Sequence, residues 1–345
     1  MKALVLTDKK TPLVLKEVSD PTAGPGEAIV RMHAAALNHR DVWIQLGQYA
    51  GLRFPIIPGS DGAGVVETLG PVLGGSGAGG GAGGASENWK GKEVIIDPAI
   101  NWGTQPGYQD PKDFRILGLP DDGTLATFVR VPVVNLVEKP AHLSWEEAAA
   151  LPLAGVTAFR ATMVRGQVRA GEKVLITGIG GGVALFALQY ALAAGAQVWV
   201  TSGSNDKLNR ALALGAVGGA NYKASSWAES LRSQAGAFDV TIDGAAGDGV
   251  NDLLDLAAPG GRVVFYGATR GNPSSVVARR IFWKQLNVLG STMGSPEDFQ
   301  SMVAWVNRHK IRPVVDKVFP FSEGEAAFRH MENGQQFGKI IVRID

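Results

Sequence analysis

A glycine-rich turn between two regular segments carries the clearest chemical signal in this sequence. The apolar run at 174–177 is typical of a buried strand, glycines follow it, and a helical pattern then runs from Val183 to Ala194. Glycines permit a sharp turn and let a pyrophosphate approach the backbone, while the free N–H groups and positive dipole of a helix start attract its charge. A strand, glycines, a helix and a second strand within about 30 residues favour a dinucleotide site over a turn without a ligand. The residues that would hold the pyrophosphate are Gly178, Gly180, Gly181, Gly182 and Val183.

The end of the second strand indicates which dinucleotide would bind. NAD sites of this kind usually place a carboxylate for the ribose hydroxyls about 20 residues after the first glycine. Here hydroxyl groups stand at Ser202 and Ser204, and Lys207 follows one helical step later. A 2′-phosphate would find donors and a cation there, so the sequence predicts NADP(H) rather than NAD(H). The alternative is a plain helix N-cap with a solvated lysine, in which Asp206 stabilises the first helical turn.

A second glycine cluster, at 74–84, is the densest in the chain but predicts no phosphate site. It has neither a strand before it nor a helix after it, and it lacks the Lys-Ser or Lys-Thr pair of a phosphate loop. Its composition is typical of a linker without a preferred conformation, so we expect a flexible surface loop.

The composition excludes several other chemistries. The 345 residues contain no cysteine, which rules out disulfides, thiolate zinc sites, iron–sulfur clusters and a cysteine nucleophile. The five histidines show no metal-ligand spacing. With 33 Lys and Arg against 32 Asp and Glu, the net charge of +1 offers nothing to attract nucleic acid, and we expect no nucleic-acid partner.

Two different rhythms along the chain would position these residues. In the first third, short alternating runs separated by Gly and Pro predict an antiparallel or barrel-like β region, with strands at 28–32, 64–69, 93–96 and 127–131. From residue 173 onward, apolar strands alternate with helical patterns, which is typical of a doubly wound parallel sheet; the strands are at 173–177, 197–201, 239–242 and 262–266. A helix at 296–308 and a strand at 340–344 are expected to rejoin the first region.

No uninterrupted run of about 18 apolar residues occurs, so no transmembrane helix is predicted. The N-terminal residues fit a first β-strand and lack the pattern of a signal peptide. We therefore expect a cytoplasmic protein with no membrane partner.

Several motifs taken together resemble the medium-chain dehydrogenase/reductase superfamily, and within it the zinc-free quinone oxidoreductase-like branch. They are Asn-His-Arg-Asp at 38–41, Pro-Gly-Ser-Asp-Gly at 58–62, Leu-Pro-Leu-Ala-Gly-Val-Thr-Ala at 151–158, the glycine loop, and Gly-Lys-Ile-Ile at 338–341. The resemblance covers the whole chain. It implies an α/β protein with a GroES-like β-barrel catalytic domain at 1–144, a Rossmann doubly wound NADP(H)-binding domain at 145–292, and a C-terminal return to the catalytic domain at 293–345.

The same resemblance implies that no zinc is bound. In zinc alcohol dehydrogenases of this superfamily a Cys, a His and a second Cys or an acid hold the catalytic metal, and the matching positions here are Asn38, Ser60 and Leu153. These three side chains are not a competent zinc ligand set. The four-cysteine structural zinc lobe of the superfamily is excluded as well.

Site residues follow from the matched motifs. Asn38 and Tyr49 would donate hydrogen bonds to the substrate oxygen, Asp41 would orient its neighbours, and Trp43 would form an apolar wall. The alternatives are an aromatic packing pair for Trp43 and Tyr49 and a buried structural carboxylate for Asp41; His39 is a candidate proton relay. The resemblance adds cofactor contacts at Thr157, Tyr222, Ala245, Gly267, Ala268 and Lys339.

Without a Lewis acid to hold an alkoxide, reduction fits better than alcohol oxidation. The sequence therefore predicts an NADPH-dependent oxidoreductase that transfers hydride to a quinone or an α,β-unsaturated carbonyl. Two alternatives stay open: an alcohol or aldehyde oxidoreductase, and a cofactor-binding protein with little turnover. Residues 279–284 combine cations with large rings and would either cover the cofactor or form the interface of an expected homodimer or homotetramer.

Overall fold

The computed structural model describes residues 1–71 and 89–344, and the glycine cluster predicted as a surface loop at 74–84 lies outside them. Two compact units are formed. The first comprises Met1–Leu153 together with Ser295–Asp345, and the second comprises Ala154–Gly294. No helix among the described residues is both long and apolar enough to cross a membrane.

The strands and helices have the following bounds. The strands are β1 (Lys2–Val5), β2 (Val14–Glu17), β3 (Glu27–Ala36), β4 (Asp61–Leu69), β5 (Glu93–Ile96), β6 (Ala99–Ile100), β7 (Arg115–Ile116), β8 (Phe128–Pro132), β9 (Leu136–Glu138), β10 (Lys173–Ile176), β11 (Gln197–Ser202), β12 (Gly218–Asn221), β13 (Phe238–Asp243), β14 (Ala257–Phe265), β15 (Asn287–Gly290), β16 (Val315–Pro320) and β17 (Lys339–Arg343). The α-helices are α1 (His39–Gln45), α2 (Trp145–Ala150), α3 (Pro152–Phe159), α4 (Gly182–Ala193), α5 (Asn205–Ala213), α6 (Trp227–Ala235), α7 (Val250–Leu256), α8 (Ala278–Trp283), α9 (Pro296–His309) and α10 (Gly324–Glu332).

A largely antiparallel sheet forms the first unit. Its strands follow the order β16-β17-β3-β4-β5-β9, and β8 also pairs with β3. The pairing of β3 with β4 requires a glycine at 64, because a Cβ there would lie 2.2 Å from the carbonyl oxygen of Arg31. The core beneath β3 includes Leu37, Ile44 and Phe328, so the chain between β3 and α1 is drawn into the interior. This sheet confirms the predicted β region.

Helix α2 and the C-terminal strands complete the first unit. The ring of Trp145 stacks on His33 of β3 at 4.3 Å between centroids, and Arg343 of β17 donates to Glu146 at 2.5 Å. β17 pairs antiparallel with β3 and parallel with β16. Along the chain, the boundaries between the two units fall at 153/154 and 294/295. The sequence predicted these boundaries at 144/145 and 292/293.

A parallel sheet of six strands forms the second unit, in the order β12-β11-β10-β13-β14-β15. The chain runs outward from β10 to β12 on one side, then returns to β13 and runs outward on the other. The central strand β10 is buried from Val174 to Ile176, as the continuous apolar run predicted. This sheet confirms the predicted doubly wound fold, in which ligands bind beyond the carboxyl ends of the strands beside the point of reversal.

Candidate active site

The glycine loop joins β10 to α4 at the centre of the parallel sheet. Gly178 and Gly180 have φ angles of +65° and +120°, which favour glycine. The loop is tied to the next strand, because the amide of Ile179 donates to the carbonyl oxygen of Thr201 at 2.7 Å. The turn thus holds a fixed shape and sends the chain directly into α4 at Gly182.

Space for a pyrophosphate exists in front of this helix. A Cβ built on Gly178 would meet no atom within 4 Å, and one built on Gly181 would meet only the carbonyl oxygen of Gly178, at 3.9 Å. The first N–H groups of α4 have no acceptor inside the helix, as at every helix start. Open space and unsatisfied donors together fit the diphosphate of a dinucleotide.

The carboxyl end of β11 places Ser202, Ser204 and Lys207 beside the glycine loop. The hydroxyl of Ser202 donates to the carbonyl oxygen of Ile179 at 3.3 Å, and that of Ser204 accepts from the amide of Lys207 at 3.4 Å as the N-cap of α5. The Lys207 side chain extends over the loop, since a Cβ on Gly180 would lie 2.7 Å from its Cδ. Both serines therefore also serve the local structure, and a cation adjoins the phosphate-binding turn.

A second set of cations surrounds Tyr222, which follows β12. The guanidinium carbon of Arg270 lies 5.7 Å from the centre of the Tyr222 ring. The phenol oxygen of Tyr222 and the Cε of Lys223 would lie 2.8 and 3.0 Å from a Cβ on Gly203. An aromatic ring with two cations at the carboxyl edge of the sheet suits an adenosine phosphate.

Asp243 ties the end of β13 to the residue that follows β10 and to its own following loop. Its carboxylate accepts from the hydroxyl of Thr177 and, at 2.7 Å, from the amide of Ala246. It also accepts from the amide of Ala245 at 3.2 Å. Burial raises the pKa of Asp243 above its usual range. Directly after β14, the phenol ring of Tyr266 lies so close to Gly244 that a Cβ on Gly244 would come within 2.5 Å of it.

The remaining residues of the second unit that were predicted to contact the cofactor lie at different places in it. Gly267 and Ala268 directly follow β14, at the same carboxyl edge. Thr157 is buried in α3 and donates to the sulfur of Met293 at 3.9 Å. In the segment at 279–284, Lys284 donates to three carbonyl oxygens at the end of α7, those of Leu254, Asp255 and Ala257.

Lys339 lies in the first unit, where it forms a buried ion pair. Its ammonium group donates to the carboxylate of Asp61, to the side-chain oxygen of Asn38 and to the carbonyl oxygen of Leu37, at 2.7 to 2.8 Å. Only 3% of the residue is exposed. All three hydrogens are thereby used within the protein, which differs from the cofactor contact that the resemblance implies.

The side chains of Asn38 and Asp41 are also engaged with the protein. The amide nitrogen of Asn38 donates to Asp61 at 2.9 Å. Asp41 is fully buried and accepts from the backbone N–H of Asn38 at 2.7 Å, which supports the start of α1. Burial raises the pKa of Asp41 to about 6, against the lowering effect of the Arg40 charge. This contact is compatible with both predictions for Asp41, a residue that orients its neighbours and a buried structural carboxylate.

Arg40 and Tyr49 form the other half of this cluster. Arg40 Nη1 donates to Ser60 Oγ at 2.6 Å and to the carbonyl oxygen of Leu117 at 2.8 Å. Arg40 Nε donates to the phenol oxygen of Tyr49 at 3.4 Å. Tyr49 is half-buried, and no acceptor for its hydroxyl hydrogen is found among residues 1–71 and 89–344. Trp43 is also half-buried, with its ring 6.0 Å from that of His39.

The positions that match zinc ligands do not fit a metal ion. Ser60 Oγ accepts from Arg40 and donates to Leu117, and the side chain of Asn38 is divided between Asp61 and Lys339. Leu153 has no donor atom. A guanidinium 2.6 Å from Ser60 Oγ would repel a cation there. Within the described part of the chain, no group of three or more His, Cys, Asp or Glu side chains could hold a metal.

Sequence reasoning missed the roles of Arg40, Asp61 and Arg270. Arg40 and Asp61 stand in the matched motifs, but their burial and their partners come from strands far apart in the chain. The only local signal was a charged pair, Arg40 and Asp41, next to an apolar strand. Arg270 lies on an exposed loop, and only the fold brings it to Tyr222.

Two family models match this chain. Residues 24–141 match the family described as alcohol dehydrogenase GroES-like domain, and residues 182–308 match the one described as zinc-binding dehydrogenase. The first match covers strands β3 to β9 of the first unit, and the second begins at α4, directly after the glycine loop, and covers strands β11 to β15 of the second unit.

Individual relatives match over nearly their full length. A zinc-type alcohol dehydrogenase-like protein YogA from Leptosphaeria maculans is 37% identical over 349 residues, with 96% of this chain and 95% of the relative covered. A quinone oxidoreductase from Mus musculus is 27% identical, with 100% and 98% covered. Among solved structures, an NAD-dependent alcohol dehydrogenase is similar with a TM-score of 0.90, 35% identity and all of both chains covered.

Proposed function

The chain belongs to the medium-chain dehydrogenase/reductase superfamily of oxidoreductases, and from this we propose that it is an NADPH-dependent, zinc-independent reductase of quinones or α,β-unsaturated carbonyls. One observation carries the proposal. At the positions that match the superfamily's metal ligands, Ser60 accepts a hydrogen bond from the Arg40 guanidinium, and the Leu153 side chain offers no ligand atom. The phenol of Tyr49 accepts from the same guanidinium and keeps its own hydrogen for a ligand. This arrangement suits an acceptor oxygen that gains negative charge better than an alcohol that must lose a proton.

The second unit would hold the cofactor. The N–H groups at the start of α4 and the glycine loop would bind the pyrophosphate, with Gly178 and Gly181 leaving the space for it. Ala245, Gly267 and Ala268 at the ends of β13 and β14 would border the ribose and the nicotinamide. When bound, the nicotinamide supplies the hydride that leaves negative charge on the acceptor's oxygen.

NADP(H) is the proposed form because of the charges beside the adenosine end. Lys207 crosses the glycine loop, and Arg270 and Lys223 adjoin the ring of Tyr222. The end of β11 carries hydroxyls at Ser202 and Ser204 where a carboxylate would repel a 2′-phosphate. One similar solved structure is that of an NAD-dependent alcohol dehydrogenase, so the cofactor preference has to be measured on this chain.

In the first unit, Tyr49 would donate its hydroxyl hydrogen to the acceptor's oxygen. The residue's oxygen is already occupied by Arg40 Nε, which leaves its hydrogen for a ligand. Asn38 is a weaker candidate for this role than the sequence predicted, because its amide already donates to Asp61. Trp43, half-buried on α1, would supply the apolar wall for a ring or an alkene.

A second function, alcohol or aldehyde oxidation, is favoured by similarity to the alcohol dehydrogenase-like protein of Leptosphaeria maculans and to the solved alcohol dehydrogenase. It requires a group that takes the hydroxyl proton. His39 is exposed at the start of α1 with its ring near Trp43, and it is the candidate for that role. The two functions can be told apart by the cofactor that is consumed: reduction of quinones or enones consumes NADPH, and oxidation of alcohols or aldehydes consumes NADP⁺.

We also propose that copies of this chain associate through β15. This strand is one of the two edge strands of the parallel sheet as described, β12 being the other, and Phe282 and Trp283 of the neighbouring α8 are 62% and 74% exposed. An open strand edge flanked by large exposed rings favours pairing with a second copy. The mass of the purified protein by light scattering tests this, since a monomer at micromolar concentration would contradict it.

The test of the proposed function is a panel of quinones, enones, aldehydes and alcohols followed by the absorbance of NADPH. We expect oxidation of NADPH by quinones or enones, no zinc by metal analysis, and no loss of activity in a chelator. Tyr49→Phe should lower turnover by about tenfold or more, since a positioned donor to an oxyanion contributes strongly. The control is Tyr108→Phe, because Tyr108 is 60% exposed in the same unit.

Three results would contradict the proposal. Stoichiometric zinc whose removal abolishes activity would show that a metal supplies the missing Lewis acid. Turnover of alcohols with NADP⁺ but no reduction of quinones or enones would favour the second function. A Tyr49→Phe variant as active as Tyr108→Phe would leave Tyr49 as a packing residue.

A further inference from the structure

Within residues 1–71 and 89–344, the first unit buries two cationic residues, Arg40 and Lys339, and only Lys339 has a counterion in contact. Lys339 meets the carboxylate of Asp61 at 2.8 Å. Arg40, which is 6% exposed, has no carboxylate within 4.0 Å among the residues that the structure describes. Its bonds go to neutral oxygens instead: Ser60 Oγ, the carbonyl oxygen of Leu117 and the phenol oxygen of Tyr49.

Hydrogen bonds hold the Nε and Nη1 atoms of Arg40, and its guanidinium carbon lies 5.0 Å from the centre of the Tyr49 ring. Both bonds of Nη1 and the bond of Nε fix the plane of the group against Ser60, Leu117 and Tyr49. Nη2 carries two further hydrogens, and neither has an acceptor in the described segments 1–71 and 89–344. Because a guanidinium does not lose its proton, this edge keeps its positive charge at every pH of interest.

A buried charge without a partner is unfavourable unless a ligand completes it. Removing an ion from water carries a large desolvation penalty, which is offset only by an opposite charge or a full set of hydrogen bonds. The Arg40 charge lowers the pKa of Asp41, but within the described segments Asp41 makes no ion pair with Arg40 and uses one oxygen on the Asn38 backbone. The fixed guanidinium, with the two hydrogens of Nη2 beside the Tyr49 hydroxyl, has the chemistry of an anion site.

We propose that the Nη2 edge of Arg40, together with the hydroxyl of Tyr49, binds the oxygen of the substrate on which negative charge develops. This deepens the proposed function and rests on it for the nature of the substrate: an acceptor whose carbonyl oxygen becomes an oxyanion. In this role the guanidinium supplies, from the protein itself, the positive charge that a metal supplies elsewhere in the superfamily. Ser60 and the carbonyl of Leu117 position Arg40.

The site can be tested without any turnover, with acetate as the probe. Acetate has an oxyanion of the right size, and a ligand that binds only the folded protein raises its unfolding temperature. We expect acetate to raise the unfolding temperature of the cofactor-free protein above the effect of chloride at equal ionic strength. Arg40→Met should abolish this difference and Arg40→Lys should reduce it. Arg53→Met, at an exposed arginine of the same unit, should respond like the unaltered protein.

Kinetics give the second measurement. With an accepted quinone or enone, acetate should compete with the acceptor and not with NADPH. Arg40→Met should lower kcat by about 10² to 10³, as when a preorganised donor is removed, with Arg40→Lys intermediate and NADPH affinity unchanged. If Arg40→Met does not fold, the Arg40→Lys variant and the acetate competition in the unaltered protein decide the question.

The inference and the proposed function fail in different ways. If no quinone or enone is reduced but acetate stabilises the unaltered protein through Arg40, the proposed function is wrong and the anion site stands. If substrates are reduced but acetate acts no better than chloride, or the Arg40 variants bind it as the unaltered protein does, the site is overturned and the proposed function remains.

Discussion

The buried pair between Lys339 and Asp61 joins residues 278 positions apart and sits among further buried hydrogen bonds. Replacing Lys339 by Met leaves the Asp61 charge without its partner, and breaking a buried pair in this way costs about 3 to 5 kcal/mol. We therefore expect Lys339→Met to lower the free energy of unfolding by that amount, as measured by urea denaturation. The control is Lys92→Met, whose bond to Glu138 is solvent-exposed and is worth at most about 1 kcal/mol.

A Lys339→Met variant as stable as Lys92→Met would show that the Asp61 carboxylate finds other donors. Cofactor affinity separates this structural role from the contact implied by the resemblance. With all three hydrogens of Lys339 donated inside the first unit, NADPH should bind the folded Lys339→Met variant as it binds the unaltered protein.

Lys207 is the residue on which the choice between NADPH and NADH depends most directly. Its side chain extends over Gly180 of the glycine loop. A hydrogen bond to a charged group is worth about 1.5 to 3 kcal/mol, so Lys207→Glu should weaken NADPH binding more than tenfold and erase or reverse the preference over NADH. Equilibrium titration with both cofactors measures this. Arg210→Glu makes the same charge change three residues further along α5 and should leave the preference intact; equal affinities in the unaltered protein would refute the idea.

At the scale of elements, the turn from β10 into α4 offers a test that separates binding from folding. The backbone at Gly181 is extended, and a Cβ there would meet only one atom, at 3.9 Å. Gly181→Val should therefore fold with an unfolding temperature near that of the unaltered protein, yet lose NADPH affinity by about tenfold or more because the side chain fills the space of the pyrophosphate.

Gly249→Ala is the matched control, since a Cβ there meets nothing within 4 Å and the residue lies at the start of α7. If Gly181→Val binds NADPH normally, the pyrophosphate does not occupy the mouth of this turn. If Gly181→Val unfolds, the loop has less room than its geometry indicates. The same binding measurement would then be made on the smaller Gly181→Ala variant.

Elements were predictable from the sequence wherever the signal was local. The strand predicted at 173–177 became β10 (Lys173–Ile176), and the helix predicted at 296–308 became α9 (Pro296–His309), because periodicity and caps act over a few residues. The cluster around Arg40 was not predictable. Ser60 and Leu117, which hold its guanidinium, lie 20 and 77 residues away in the chain, and no local pattern reports which cations a fold will bury.

For the whole molecule, Asp97 should set part of the pH dependence of stability. Burial and the nearby Asp298 charge raise its pKa to about 8, while in the unfolded chain an aspartate titrates near 4. Between these values the folded protein binds more protons than the unfolded one, so stability falls as pH rises from about 4 to about 8 and then levels off. Asp97→Asn keeps the acceptor for the amide of Ala99 and should flatten most of this slope.

Urea denaturation at several pH values measures that slope. A residual fall between about pH 4 and pH 6 should remain in Asp97→Asn, because Asp41 also has a raised pKa, of about 6. Asp8→Asn, at an exposed position, should keep the slope of the unaltered protein. A variant at 97 with an unchanged slope would mean that the folded protein loses this proton as easily as the unfolded chain does.

The first unit is built from two stretches of chain separated by the whole of the second, and this has a consequence for synthesis on the ribosome. β3 cannot acquire β17 as its neighbour, nor Asp61 its lysine, until residues 315–343 have been translated. At about 5 to 20 residues per second, roughly ten to forty seconds pass after residue 153 emerges. During that time the nascent first unit exposes an unpaired strand edge, while the contiguous parallel-sheet unit can already close. The form of this protein most prone to aggregation is therefore the N-terminal sheet before β17 has joined it, and this is the form that chaperones would bind first.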